Sequence, residues 1–520
     1  MSVAEAEILD GTVEGWARDR PDAVALAEGD RALTFAAWDA AADRVAAGLA
    51  ARGLGRGEVI VLRTQIRLEW AVAALAVAKI GARVLALNWR LTPAEARFVL
   101  SNAGAAALIC DDPDPAPLRP VCEELGLRLI VSVDAPAQGF ADWAALAATA
   151  PERRVSLGEP PLILYTSGTS GLPKGVEMRG AELARRDPRV AEYLADVQAR
   201  NRATPGSVVL LTMPLHHGAG VSQLWSTARR GDKLVMLHRY DPAATLALIA
   251  AHKVTHWTGV PTMYKRIAAL PDAEIARHDL SSIQRIGIGA APSTPALKLR
   301  IDEIFGPGRL TEGYGSTESG MISGLDAGGH LQKPGSSGRP FRHVTIAIRD
   351  EAGRDLPVGE VGEIWAKTPV CIEAYLGAPA LGAEARDAEG FLRLGDAGRL
   401  DADGHLFITD RVKDMIVSGG VNIYPAEIEA ALIDHPQVQD AAVIGIPDEE
   451  FGEQVKAFVE PKPGATLDPA ALAEFAAARL ASYKRPRSID VVTELPRNTM
   501  GKLLKRTLRA PYWEGRGRSI

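Results

Sequence analysis

A chain of 520 residues exceeds what one hydrophobic core can organise, so two or more domains are expected. Hydrophobic residues at 47% and charged residues at 24% are the balance of an ordinary globular protein. The net charge of -6, from 59 basic and 65 acidic residues, excludes a nucleic-acid binder that relies on a basic surface. Cys110, Cys122 and Cys371 fit neither a zinc pattern nor a disulfide framework, which points to a reducing cytoplasm. The N-terminus carries Glu5, Glu7 and Asp10 and lacks the basic flank and apolar centre of a signal peptide. The apolar run Ala71–Ala78 stops at Lys79, too short for a bilayer, and reads as a buried helix rather than an integral membrane segment.

From about residue 34 to 160 helix and strand patterns alternate in the α/β manner. Thr34 opens a helix with Trp38, Ala41, Val45 and Leu49 on one face, and Glu58–Leu62 follows as a strand. A helix over Glu69–Ile80 and a strand over Arg83–Leu87 lead to Arg90, then Thr92-Pro93 starts another helix with Pro at its first position. Strands at Ala107–Cys110 and Leu127–Val131 complete this unit.

The strand Leu162–Leu164 runs into Tyr165-Thr166-Ser167-Gly168-Thr169-Ser170-Gly171-Leu172-Pro173-Lys174-Gly175, and Val176–Met178 begins a second strand. Glycine lets backbone N–H groups close on an anion, the hydroxyls add short donors, and Lys174 supplies a point charge suited to phosphate. A Walker loop has Gly-Lys before Ser or Thr and then a helix, so this is a different phosphate loop. Strands at Val208–Leu211 and Lys233–Leu237 and a helix at Pro242–Lys253 continue the α/β rhythm. His216-His217-Gly218 at a strand end marks a site-lining turn, and without a third ligand at metal spacing it is not a zinc site.

Arg285–Pro292 is a strand running into small residues that suit a flat ring against backbone. In Leu310-Thr311-Glu312-Gly313-Tyr314-Gly315-Ser316-Thr317-Glu318, Tyr314 suits stacking on a purine, Thr317 a hydrogen bond to phosphate, and Glu318 a magnesium ion between phosphates. From about 334 to 412 short strands replace the alternation, a β-rich, barrel-like subdomain. It contains Gly395-Asp396, whose carboxylate suits a pair of ribose hydroxyls, and it ends in Asp410–Gly420. Residues from about 413 to 520 form a small α+β unit: helices at Pro425–Ile433 and Pro469–Leu480, strands at Val438–Ile446, Lys456–Val459 and Ser488–Val492, and a terminal Pro496–Arg506 containing Lys502. No internal repeat is present.

With Tyr165–Gly175, Tyr314–Glu318, Gly395-Asp396, Asp410–Gly420 and Pro496–Lys502 in one order, the chain resembles the acyl-adenylate-forming superfamily, in its acyl- and aryl-CoA synthetase branch. The likeness runs from about residue 30 to 510. It implies a large N-terminal domain, 1–412, of two α/β subdomains and the β-rich one, with a mobile lid, 413–520, hinged at Lys413. It implies an ATP-dependent ligase that makes acyl-AMP and pyrophosphate from a carboxylic acid, then passes the acyl group to coenzyme A.

ATP, magnesium and coenzyme A are therefore the expected co-substrates and cofactor. Lys502, Thr317, Glu318 and His217 would be catalytic, with Glu318 and Thr169 at the metal. Nucleotide would be held by Thr166, Ser167, Gly168, Thr169, Ser170, Gly171, Lys174, Gly289, Ala290, Ala291, Glu312, Gly313, Tyr314, Gly315, Asp396, Ile408, Arg411 and Lys502. His217, Gly289, Ala290, Gly313, Gly315, Gly320 and Met321 match acyl-pocket positions, and so many glycines point to a bulky or ring-bearing acid. Arg90, Gly419, Gly420, Phe451 and Arg485 match positions that meet coenzyme A. The absence of a Phe-Asp pair after Leu215 sets the chain apart from amino-acid-activating relatives, Leu394 replaces a usual Thr, and Met178-Arg179-Gly180 lacks the usual Ser/Thr-His. Loading of a carrier-protein thiol, or a non-catalytic nucleotide-binding regulator, are the rival readings. The resemblance also admits a homodimer.

Overall fold

The computed structural model describes residues 10–134, 136–156, 158–166, 173–200, 203–419, 421–498 and 503–514. The first α/β unit is a seven-stranded sheet, in spatial order Ala141–Asp142, Leu129–Ser132, Ala105–Cys110, Val59–Arg63, Arg83–Ala86, Leu162–Thr166 and Lys174–Met178. All neighbours are parallel except the last pair, which forms an antiparallel hairpin. Val59–Arg63 is buried along its whole length, as a parallel strand covered on both faces must be. The apolar segment read as a buried helix is Leu68–Lys79, and no helix among the described residues is long and apolar enough to cross a membrane.

Local signals set the helix starts. Thr34 caps Phe35–Ala50, its hydroxyl accepting from the Ala37 N–H at 3.1 Å. Thr92 and Glu95 form a reciprocal capping box ahead of Pro93 at the first helical position. Thr92→Ala is expected to cost about 1 kcal/mol in chemical denaturation, with no change in activity.

The second unit is a nine-stranded sheet, ordered Arg339–Pro340, Gly320–Leu325, Leu310–Ser316, Arg285–Gly289, His256–Gly259, Val208–Leu211, Lys233–Met236, Val24–Glu28 and Arg31–Thr34. Its last two strands are an N-terminal hairpin that the sequence reading passed over. Leu26 pairs with Leu234, so the chain begins in the second sheet and then crosses to build the first. Helices Pro188–Arg200, Gly218–Arg230, Pro261–Ala268 and Pro295–Phe305 also went unread. The two units share one apolar core in which Leu26, Leu211 and Trp225 pack with Trp38, Ile60 and Leu62. Trp38 and Trp225 stack at 6.2 Å between centroids, and the Trp38 indole N–H donates to the Ala71 carbonyl. Such shared burial makes the pair one rigid body.

The β-rich region is an antiparallel meander of Thr345–Arg349, Gly362–Lys367, Leu392–Leu400 and Leu406–Arg411. Among the described residues its outer strands do not pair with each other, so the barrel-like expectation becomes an open sheet. Ile348, Ile364 and Leu406 form its small core, against which Tyr314 of the second sheet packs. The C-terminal unit has a separate core, including Ile416, Ile428, Leu432, Val443 and Val455. Its long strands Val438–Asp448 and Gly452–Pro461 are flanked by Ile416–Ser418, Val421–Ile423 and Ser488–Val491, with helices Pro425–Ile433, Pro469–Ala477 and Lys505–Trp513 packed around them.

Candidate active site

The phosphate loop closes a hairpin: Tyr165 pairs with Gly175 and Thr166 with Lys174 across antiparallel strands. Ser167, Gly168, Thr169, Ser170 and Gly171 lie outside the described residues. The loop's flanks are tied to the second sheet, because the Thr166 hydroxyl donates to Glu318 Oε1 at 3.0 Å. A third segment joins them. The Ile372 N–H donates to the Glu318 carbonyl at 2.9 Å and the Leu376 N–H to the Gly175 carbonyl at 2.8 Å. Between them Tyr375 places its ring 4.8 Å from Lys174 Nζ, and its phenol is pushed up to about 12 by burial and by the Glu318 carboxylate. Tyr375 had no sequence signal, since it is a single aromatic in an irregular stretch. The side chains of Glu318 and Thr166 form a hard-oxygen donor set that fits magnesium.

The nucleotide residues gather where the parallel strands end, at the crevice an open α/β sheet offers to ligands. Gly289 pairs with Gly313, which sets Gly289, Ala290 and Ala291 beside Glu312–Gly315. Ala290 has φ of 64°, a left-handed conformation unusual for a residue with a side chain and typical of ligand clamps. An irregularity in the pairing at Tyr314/Gly315 turns the strand there. The Tyr314 hydroxyl donates to Asp396 Oδ2 at 2.7 Å, and Arg411 Nε lies 2.9 Å from Asp396 Oδ1. Asp396 faces Arg411 directly across adjacent strands, and Ile408 and Tyr314 pack against the same small core. Burial, then the Asp396 charge, pushes the Tyr314 phenol well up, so it stays a neutral donor. Glu312 is paired with buried Lys298, a partner the sequence reading missed because it comes from the helix Pro295–Phe305.

Asp396→Ala strips Tyr314 and Arg411 of their common partner and removes the ribose acceptor. Loss of charged hydrogen bonds of this kind costs about 1.5–3 kcal/mol. The KM for ATP is expected to rise about 10- to 100-fold, with the KM for the acid unchanged, in steady-state pyrophosphate release.

At the expected acyl pocket, glycine has another cause than free volume. A Cβ on Gly315 would lie 2.3 Å from the Gly320 carbonyl oxygen, and one on Gly313 would lie 2.7 Å from Met321 Cε. The missing side chains are replaced by close backbone and by Met321, so glycine content is no measure of acyl size. Met321 is itself fixed, its backbone carbonyl accepting from the Tyr193 hydroxyl at 2.8 Å and its N–H donating to that hydroxyl at 2.7 Å.

His217 ends the connection from Val208–Leu211 and occupies the N-cap of Gly218–Arg230. Burial holds its imidazole down to about 4. The His216 ring lies 4.5 Å from it, and burial, then His217 and Arg90, push His216 well below its ordinary range.

The thiol-side residues divide. Arg90 is exposed, its guanidinium 4.8 Å over the Trp89 ring. Gly419 and Phe451 come together on the C-terminal unit: the Gly419 N–H donates to the Phe451 carbonyl at 2.8 Å, and φ of 57° suits glycine there. Phe451 is 39% exposed, with the Arg487 guanidinium 5.8 Å from its ring. Arg485 is engaged elsewhere, donating to the Leu480 and Ala477 carbonyls at 3.1 and 2.9 Å, so it caps the helix Pro469–Ala477. Lys484 is paired with Glu427. Arg487, rather than Arg485, is the arginine beside the Phe451 ring.

Lys413 sits in a one-turn helix, Val412–Asp414, between the large and small units. Carboxylates and cations crowd around it. Asp410 accepts from the Ala426 N–H at 2.7 Å, Arg509 lies 3.2 Å from Asp414, and Lys505 lies 2.7 Å from Glu429. Burial raises the Asp410 and Glu429 carboxyls. Asp440 of the small unit binds both its own Arg497, at 2.5 Å, and Lys265 of the large unit, at 3.0 Å. Arg497 is thus tied through Asp440 to the large unit. Lys502 and Gly420 lie outside the described residues.

Comparison with known proteins agrees with this arrangement. The profile of the family described as AMP-binding enzyme matches residues 13–376, and that of the AMP-binding enzyme C-terminal domain matches residues 427–502. A feruloyl-CoA synthase of Amycolatopsis sp is 34% identical over 499 residues, covering 95% of this chain and 97% of its own. The fatty acid–acyl-carrier-protein ligase ScoC of Streptomyces coeruleorubidus is 32% identical over 95% of this chain and 94% of its own. The crystal structure of ATP-bound MatB from Rhodopseudomonas palustris superposes with a TM-score of 0.84 at 29% identity, covering 97% of this chain and 99% of that one.

Proposed function

This chain belongs to the AMP-binding enzyme family, in its acyl- and aryl-CoA synthetase branch, and on that premise we propose how its residues divide an AMP-forming acid–thiol ligation. The observation that carries the reading is the meeting of three segments at one point. Thr166 and Lys174 flank the phosphate loop, Thr166 hydrogen-bonds Glu318 in the turn after Leu310–Ser316, and Tyr314 of that strand hydrogen-bonds Asp396, which pairs with Arg411 in the β-rich meander.

In the first half-reaction a carboxylate oxygen of the acid attacks the α-phosphorus of ATP. An O–P bond forms, the bond to the β-phosphate oxygen breaks, and pyrophosphate leaves. Asp396 and Arg411 fix the ribose, with Tyr314 against the base. Lys174 and the hydroxyl-rich loop hold the leaving phosphates, and Thr317 donates to the α-phosphate. Lys502 stabilises the charge that grows between carboxylate and phosphate. A magnesium ion at Glu318 would neutralise phosphate charge and make the α-phosphorus more electrophilic.

In the second half-reaction the thiol sulfur attacks the acyl carbon. A C–S bond forms, the C–O bond to phosphate breaks, AMP leaves, and the thiol proton is released. The small unit turns about Lys413 between the two steps, withdrawing Lys502 and presenting Gly419, Gly420 and Phe451. The proposed acceptor is coenzyme A, because exposed Phe451 beside Arg487 offers a stacking face and an anion partner to a nucleotide-bearing thiol. The proposed acid is ring-bearing, supported by the likeness to a feruloyl-CoA synthase and no longer by glycine content. The proposed setting is the cytoplasm, supported by the free Cys110, Cys122 and Cys371.

Pyrophosphate release with ATP and magnesium, over a panel of aryl, arylpropenoic and fatty acids with and without coenzyme A, tests the assignment. Release with one acid class and conversion to thioester by coenzyme A is the expected result. The likeness to ScoC gives a second reading, an acyl carrier protein as acceptor, which acyl-AMP formation followed by indifference to coenzyme A would select.

A further inference from the structure

Where the two α/β units meet, a buried imidazole has no partner. His216 is 6% exposed, and neither its Nδ1 nor its Nε2 has a hydrogen-bonding partner among the described residues; His217 Nε2 is in the same condition. A leucine or phenylalanine would fill that place without stranding two polar atoms, so His216 weakens the fold it stands in. Local cost of this kind collects at functional sites.

Its surroundings indicate which site. On one side is the His217 ring at 4.5 Å, leading to the expected acyl-adenylate. On the other, Arg90 is near enough to act on its charge, and Arg90 follows the strand Arg83–Ala86 at the rim expected to meet coenzyme A phosphates. The helix that begins after His217 packs its Gly218 against Leu164 and Met178 beside the phosphate-loop hairpin. His216 therefore lies against the His217 ring and within reach of the Arg90 charge.

A neutral imidazole offers one N–H donor and one nitrogen acceptor that point away from each other, so each serves a separate partner such as the N–H or the C=O of a secondary amide. Two such amides lie along the arm that carries the thiol of coenzyme A. We propose that His216 is a binding residue for the incoming thiol, a ring nitrogen hydrogen-bonded to an amide of the thiol's arm so that the sulfur passes His217 to the acyl carbon. This inference rests on the ligase reading above and assigns the thiol path a residue of its own. Neutral down to acid pH, the imidazole keeps both roles across the working range.

The test is the second half-reaction in isolation. Acyl-AMP is formed on the enzyme in a single turnover, then chased with coenzyme A, with N-acetylcysteamine, which carries one amide, or with ethanethiol, which carries none. In His216→Leu the chase rates with coenzyme A and N-acetylcysteamine are expected to fall about tenfold while the ethanethiol rate changes by less than about twofold. His216→Asn, which keeps a donor and an acceptor, is expected to recover most of the loss. His216→Phe carries the same comparison should the leucine variant fail to fold. Equal slowing with all three thiols, or no slowing with N-acetylcysteamine, overturns the assignment. Absence of acyl-AMP from the wild-type enzyme over the whole acid panel would instead overturn the ligase reading, before any thiol is added.

Discussion

Glu318→Gln is expected to lower kcat/KM for acyl-AMP formation about 10²- to 10³-fold, the equivalent of several kcal/mol of lost charge stabilisation. The substitution is nearly isosteric. The amide oxygen of Gln can still accept from the Thr166 hydroxyl, which lies 3.0 Å from Glu318 Oε1, so the strand end stays in place. What disappears is the negative charge at the junction of phosphate loop, second sheet and the Tyr375 segment. Pyrophosphate release measured at rising magnesium should show the half-saturating concentration shifted upward and activity partly regained. An unchanged magnesium dependence would remove Glu318 from the metal and leave it a structural hydrogen-bond acceptor.

Lys502→Ala is expected to slow acyl-AMP formation by about 10²- to 10³-fold, as loss of one positioned charge at a developing oxyanion does. Conversion of chemically supplied acyl-AMP to thioester should stay near the wild-type rate. The asymmetry follows from the proposed rotation of the small unit about Lys413. Arg497, five positions before Lys502, is anchored through Asp440 to Lys265 of the large unit. The proposed rotation would withdraw Lys502 for the second half-reaction and present the surface of Gly419 and Phe451. Equal loss in both half-reactions would argue that Lys502 supports the fold of the small unit rather than one chemical step.

Much of this site was legible in the sequence because its determinants are local. The phosphate loop, the Tyr314–Glu318 turn and Gly395-Asp396 each compress their chemistry into a few consecutive residues. The helix starts at Thr34 and at Thr92-Pro93 were legible for the same reason. What escaped depends on contacts between distant segments. Tyr375, Lys298 and Tyr193 act through a single side chain on an element with no distinctive pattern, and each matters only for what it touches. The N-terminal hairpin reads as a short pair of strands whose partner, Lys233–Met236, lies far along the chain. Arg485 and Arg487 are two residues apart and chemically identical, and only the nearby end of Pro469–Ala477 decides that the first caps a helix. The pocket glycines were seen but misread, because a missing side chain does not reveal whether space or a neighbouring backbone takes its place.

The separate apolar core of the small unit has a further consequence. Recognition of the acid is built into the large body, whereas Phe451 and Arg487 ride on a module that folds around its own interior. On the proposed reading, part of the choice of recipient thus rides on a unit with its own interior, while His216 and Arg90 keep the rest on the body that activates the acid. The two units meet at the short turn Val412–Asp414, at the Asp410–Ala426 hydrogen bond and at the Lys265–Asp440 ion pair. Grafting the small module of a carrier-protein-loading relative onto this large body is therefore expected to shift the acyl group only partly toward a new recipient, while the preferred acid stays the same.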